Sequence, residues 1–494
     1  MEKPFVPEWD YAKVMSNIKR WSFSSKMDIA QAHSYKYIKA DGKEQKLHLA
    51  QPDEIETFVM LAVKKEEWKN DIIQKTDFER CITAIRNYNN PKLFSLKGTE
   101  FGDTYFPLAA ATQFPSQKNY FLLFFRYLAY FTFQNDEIDV QQEFLRKFRI
   151  PYVDIAAPIL ALWIHLVRGD EQNIGQAFLW IIEHYSSAIE LLSISRENYR
   201  KELDKYNNTE FDYRYSIRPS FSWPFIEEKG VRYCPTPHLL PISATSSLLF
   251  RLTENDDNLR SLIGKNAIET YLYKTICNSG LFDEVLPEQQ YAIGKVTNRT
   301  LDVLSSIDDI IVCFDSKSLT PSVSMRVLDE HGVESTKDRL VQALKQVYTH
   351  THEKYGKEYN PLKQHLQSDR ENIYGFVVVL EDPYFSMDEL YRRTADALRI
   401  DTTSDEYKWL TKHIGIVEMD NLEKQLFMSS RTHFIKLIQK HVNGENTTDF
   451  WFTHTDGKHV RYLPEHAKGF LETNVFGILD KMEVDGIKSP IHKL

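Results

Sequence analysis

The sequence predicts a mixed α+β protein, in which a helical N-terminal domain is followed by an αβββαβ core. Three observations predict it. Apolar residues recur at helical spacing through residues 1–215, with helix start signals ahead of the first clear stretch. Strand-like runs cluster from Val285 onward. Their order among the helical stretches is helix, three strands, helix, strand, which implies a mixed sheet covered by helices.

At 494 residues the chain is too long for one ordinary core, so more than one domain is expected. Hydrophobic residues make up 42% and charged residues 27%, the balance of a folded chain. The net charge of −9 excludes a surface coated in cations. A nucleic-acid site would have to be a local groove or carry its own metal ions. Cys81, Cys234, Cys277 and Cys313 form no CxxC pair, which suits a reducing compartment and no zinc ribbon. The longest apolar run, Tyr120 to Phe133, spans fourteen residues and contains Arg126. That is short for a membrane span and reads as a buried helix, so a cytoplasmic protein with no membrane partner is expected.

In chain order, helices are expected from Asp53 through Trp68, Asp77 to Tyr88, Asn119 to Gln134 and Val140 to Phe148. Val153 to Val167 and Asn173 to Leu192 continue the series, separated by Gly169-Asp170. Residues 216–260 read as a linker with a small hairpin whose turn lies at Glu227 to Gly230. The core spans 261–420. It comprises a helix from Asn266 to Cys277, a strand from Val285 to Tyr291 and a hairpin over 299–317. A helix from Thr336 to Tyr348, a strand from Tyr374 to Glu381, a helix from Met387 to Leu398 and a strand from His413 to Met419 complete it. Residues 421–494 hold one helix, Leu422 to Val442, and a polar, aromatic tail.

The hairpin RTLDVLSSIDDIIVCFDSK carries the chemistry. With Asp308-Asp309 at the turn, antiparallel pairing sets Asp302 opposite Asp315. Side chains alternate along a strand, so Asp315 and Lys317 share a face with Ile311 and Cys313. Two carboxylates and an ammonium on an apolar hairpin are costly to bury without a cation, and a divalent metal is the natural partner.

This succession resembles the PD-(D/E)xK nuclease superfamily, whose core is the restriction-endonuclease-like fold. The residues that carry the resemblance are Asp302 and the triplet Asp315-Ser316-Lys317. It implies that Asp302, Asp315 and the Ser316 carbonyl bind Mg²⁺ (or Mn²⁺), with Glu269 as an added acid from the preceding helix. Lys317 would orient the attacking water. Similar triplets recur, as at Glu227-Glu-Lys229 and Glu406-Tyr-Lys408, but only the one at 315 ends an apolar strand behind an acid-bearing strand. Leu301 stands where the family commonly has Pro before the first acid, and the triplet opens with Asp in place of the commoner Glu.

The implied activity is metal-dependent endonuclease cleavage of nucleic acid, duplex DNA in preference to RNA. The helical half would sense a trigger or recruit a partner protein or a second copy, an architecture that resembles prokaryotic antiviral defence effectors. The alternatives are a catalytically inactive nuclease-like scaffold acting through protein contacts, or an RNA-cleaving effector. Lys354, Lys357, Lys363 and Arg370, interleaved with His350, His352 and His365, offer a basic loop for a phosphate backbone, extended by Arg392-Arg393. Glu288 on the first strand, and Gln342 and Gln346 on the next helix, read as edge and surface residues or as neighbours of the site. No GxxxxGK[ST], HExxH, GxSxG or EF-hand spacing occurs.

Overall fold

A computed structural model describes residues 9–40, 49–88, 120–169, 171–320, 327, 329–355, 357, 366, 368–382, 384–442 and 463–488. The chain is mixed α+β. Its central sheet has five strands, labelled here β1 (Glu284–Pro287), β2 (Val303–Ile307), β3 (Ile310–Lys317), β4 (Ile373–Val379) and β5 (Ile414–Glu418). They lie side by side in that order. β1, β2 and β3 form an antiparallel meander, whereas β4 and β5 run parallel to β3. Helix Glu269–Asn278 precedes β1 and helix Glu330–Tyr348 enters between β3 and β4.

The sheet is apolar on both faces because both are covered. β3 and β4 are therefore near-continuous runs of Val, Ile and Phe, as buried parallel strands require. One face, with Ile311, Cys313, Val377 and Ile414, packs against helices Glu330–Tyr348, Met387–Leu398 and Asp405–His413. Gly375 lets the first of these helices sit close, since a Cβ there would collide with Val347. The other face, with Val312, Phe314 and Phe376, joins the largest core, which draws residues from Ile38 to Ile487. A third core gathers around Phe58, Phe78 and Tyr199.

Most expected elements form. The small hairpin turns at Lys229 and Gly230, both at positive φ, and a third strand, Ser193–Ser195, joins it. Residues 216–260 also add the short helices Leu240–Ser243 and Ser246–Leu252, whose buried faces join the largest core. Four expectations are corrected. The strand expected over Val285 to Tyr291 ends at Pro287, and a separate hairpin, Gln290–Ile293 with Val296–Arg299, turns at Gly294. The helix expected from Leu422 to Val442 is two, Met419–Met428 and Arg431–Val442. The break has a local cause: Ser429 is extended, and the Ser430 hydroxyl accepts the His433 N–H as a new N-cap. The helix expected over Asn173 to Leu192 likewise breaks at Tyr185. Trp68, expected on a helix, lies beyond its end and is exposed.

Among the described residues no single helix is long and apolar enough to cross a membrane. Tyr120–Phe131 is a core helix, and Arg126 is fully buried within it. The guanidinium donates to both oxygens of Glu423 at 2.8 and 2.6 Å, and Tyr271 donates its hydroxyl to the same carboxylate at 2.8 Å. Asp420 stands 3.5 Å away. This network ties the helical half to helix Met419–Met428, just past β5. Removing one partner of such a pair strands the other charge in the core, at a cost of about 3–5 kcal/mol. Glu423→Gln is expected to lower unfolding stability by that order in urea denaturation, and Arg126→Met combined with Glu423→Leu to recover much of the loss. A Glu423→Gln chain as stable as wild type would show that the network holds nothing together.

Candidate active site

The hairpin of β2 and β3 sets the geometry. Ile307 pairs with Ile310 and Val303 with Phe314, so Asp308 and Asp309 form a two-residue turn, with Asp308 at φ 53°. Continuing that register by one step brings Asp302 level with Asp315. The alternation then points Asp302, Asp315 and Lys317 toward the face covered by helix Glu330–Tyr348.

The Asp302 Oδ2 accepts two bonds from Ser316, at 2.6 Å from the backbone N–H and 2.8 Å from the hydroxyl. Asp315 is 1% exposed, and the Lys317 ammonium stands 2.6 Å from its Oδ2 as an ion pair. Gln346 joins the two, accepting from Lys317 at 3.2 Å and donating to the Asp315 Oδ1 at a long 3.4 Å. Lys317 itself remains a third exposed. Glu269, half-buried at the start of helix Glu269–Asn278, lies within electrostatic reach of Asp302, Glu288, Asp315 and Lys317. Glu288 follows β1 and pairs with Arg299 at 3.1 Å.

Four carboxylates thus share a partly buried space with one ammonium and one rim guanidinium. Burial pushes Asp315 up to about 7, with the Asp302 charge adding to the shift and Lys317 opposing it. Burial and the same neighbouring acids push Glu269 up to about 8. Asp302 is also raised by burial, and the Ser316 bonds hold it back. The protons belong to the cluster as a whole.

This donor set suits a hard cation. All its ligand atoms are oxygens, its negative charge exceeds its positive charge, and Mg²⁺ needs only one or two protein carboxylates because it keeps several waters. Among the described residues no three His, Cys, Asp or Glu side chains already stand in metal-holding geometry. The acids would have to exchange their Ser316 and Lys317 partners for the ion.

Beside Lys317 an open cleft of about 510 Å³ runs along helix Glu330–Tyr348, lined among others by Arg339, Gln342 and Gln346. Arg339 is exposed. The expected basic strip is divided. Lys354 closes a π-helical extension of that helix, Thr349–Lys354, and exposed Lys357 follows; Lys363 and His365 lie outside the described residues. His350 and His352 are held neutral, with pKa values pulled down to about 4 first by burial. Arg392 and Arg393 sit on helix Met387–Leu398. Arg393 is matched by Glu334 and Glu389, each at 2.7 Å. Glu334 and Lys354 are twenty residues apart on one helix, about 30 Å, so the two halves of the strip do not meet.

Two features escaped the sequence reading. A π turn, Gly264–Ile268, precedes Glu269, and only an i→i+5 hydrogen-bond pattern reveals it. The mostly exposed hairpin Gln290–Arg299 stands between β1 and β2, and Gly294-Lys295 flanked by Ile and Val was its legible turn signal. A Ser34–His238–Glu56 row, with contacts of 2.7 and 2.8 Å, suggests a nucleophile triad. All three side chains are buried and Arg218 closes the far side of Glu56 at 2.8 Å, so no substrate reaches it. In comparisons with family models, curated proteins and solved structures, the chain matches none.

The crowded acids give the metal-free protein a definite pH dependence. Asp315 and Glu269 keep protons between about pH 4 and pH 7 to 8 that the unfolded chain has released. The folded state binds more protons in that window, so its stability falls as pH rises through it. In EDTA the melting temperature is expected to drop from about pH 5 to about pH 8, and Asp315→Asn to flatten that drop. A wild-type curve rising over the same range would show that the acids are not crowded.

Proposed function

We propose that this site hydrolyses phosphodiester bonds in nucleic acid with a divalent metal ion, as an endonuclease acting on duplex DNA. The observation that carries the reading is the meeting of Asp302, Asp315 and Lys317 at the paired ends of β2 and β3, beside Glu269 and an open cleft. The element order around them supports it: helix, three antiparallel strands, helix, then a strand parallel to the third.

Asp302, Asp315 and the Ser316 carbonyl would hold Mg²⁺ or Mn²⁺, with Glu269 reaching in from its helix. A bound divalent ion supplies an activated water and offsets charge gathering on the phosphorus oxygens. Lys317 orients that water through its ammonium and stabilises the developing negative charge. Gln346 keeps Lys317 and Asp315 in mutual register. Glu269, with a pKa near neutrality, can accept and return a proton at working pH. Arg339, which makes no ion pair with another described residue, gives the cleft a cation for the phosphate backbone.

One observation favours the inactive scaffold as a second reading: the Asp302 Oδ2 already accepts two bonds from Ser316, and the Asp315 Oδ2 already stands in ion-pair contact with Lys317. Incubation with plasmid and with RNA, in Mg²⁺, Mn²⁺ or EDTA, separates the two. For the enzyme, cleavage requires the metal and falls at least about a hundredfold in Asp315→Ala, in line with the loss of one charge-stabilising group. Mg²⁺ also raises the melting temperature, as any ligand of the folded state does. Cleavage that ignores EDTA or survives Asp315→Ala overturns the assignment. No cleavage together with no Mg²⁺ shift selects the scaffold.

A further inference from the structure

A cavity of about 150 Å³ opens away from the acid cluster, between the segment 216–223, helix Ser246–Leu252 and residues that follow β3 and β4. Its walls combine aromatic rings with guanidinium groups. Tyr206 and Phe250 line it while remaining about 40% exposed, as rim residues would be. Trp223, Arg251 and Arg260 stand further in, and buried Glu381 also lines it.

The two arginines form no ion pair with a described residue, although Glu202, Glu254 and Glu381 line the same cavity, with Glu254 bearing electrostatically on Arg251 and Glu381 on Arg260. The Arg251 guanidinium lies 5.3 Å from the Trp223 ring centre and 5.4 Å from that of Phe148. It donates only to the carbonyls of Leu191 and Ser222, at 3.2 and 3.5 Å. Arg260 donates to the Ser318 carbonyl at 3.3 Å and the Thr320 hydroxyl at 3.1 Å. Neither has a carboxylate within ion-pair distance among the described residues. Burial lowers both pKa values, that of Arg251 to about 10, the mark of cations paying for lost water. Flanking rings offset part of that cost, and an anion would offset far more.

The walls specify more than an anion. A cavity of this size takes one aromatic ring, as an engineered cavity of similar volume takes benzene. Tyr206, Phe250 and Trp223 offer faces to stack on, and the arginines suit phosphate oxygens. We propose that this cavity binds a pyrimidine nucleotide, its single-ring base among the rings and its phosphate on Arg251 and Arg260, as an effector of the acid site. Binding stands independently of the nuclease reading; only its regulatory consequence rests on that reading. The connection is short. Arg260 grips Ser318 and Thr320, directly after Lys317, and its helix Asp257–Ile263 continues through the π turn to Glu269. A phosphate competing for Arg260 therefore acts on both segments that carry the site.

The test is thermal melting of the full chain in EDTA, with cytidine monophosphate, uridine monophosphate, cytidine or inorganic phosphate at millimolar concentration. At least one nucleotide is expected to raise the melting temperature more than cytidine and phosphate do separately. Arg251→Ala should abolish that shift, and exposed Phe250→Ala, which leaves the fold intact, should weaken affinity by about tenfold through lost stacking. Asp315→Asn should bind as wild type does, so failure of the nuclease assignment leaves this result untouched. The proposal is overturned if no nucleotide shifts the melting temperature, if phosphate alone gives the whole shift, or if the shift persists unchanged in Phe250→Ala.

Discussion

The register of one hairpin carries the candidate site. A turn of two residues at Asp308-Asp309 admits a single pairing of β2 with β3, and that pairing alone sets Asp302 level with Asp315. Because side chains alternate with a period of two, a slip by one residue would turn Asp315 toward the face where Val312 and Phe314 now pack. The surrounding helices then need only converge on the same strand ends. Glu269 comes from the helix before β1, and Gln346 from the helix after β3.

Charge balance separates this cluster from the other buried polar groups. Arg126 meets Glu423 and Asp420, and Glu56 meets Arg218 and His238, so each interior charge has a partner in a sealed space. Such networks hold helices in register. Around Asp315 the acids outnumber the cations and Lys317 keeps access to solvent. An imbalance beside an open cleft costs stability in the resting protein, and sites that bind ions or move protons are where that cost recurs.

The hairpin was legible because its signals are local. Asp-rich turn, strand formers on both sides and acids at matched distance all lie within nineteen residues. Helices with strong periodicity, such as Val140–Phe148 and Met387–Leu398, were readable to the residue. What failed depended on backbone geometry or distant packing. Ser429-Ser430 broke a helix that its apolar periodicity extended, since capping bonds outweighed the pattern. Pro287 ended a strand expected to reach Tyr291 across the polar Glu288, Gln289 and Gln290. Glu389, four residues before Arg393 on the same helix, is a local partner, but the Arg393–Glu334 pair joins separate helices and no local pattern announces it.

That matching bears on how a chain of net charge −9 would hold a polyanion. A lysine or arginine already paired releases little when phosphate arrives, because the new contact replaces an old one. Arg393 is spent in this way between two helices. Lys317 and Arg339, by contrast, line the cleft, and Arg339 has no acid of its own among the described residues. Arg260 feels the Arg339 charge from the other side, so cations run from the cavity to the cleft past the end of β3. The acid cluster itself stays net negative, so on the proposed reading a phosphate reaching the strand ends would depend on the metal's charge, with Arg339 beside it as an unpaired cation.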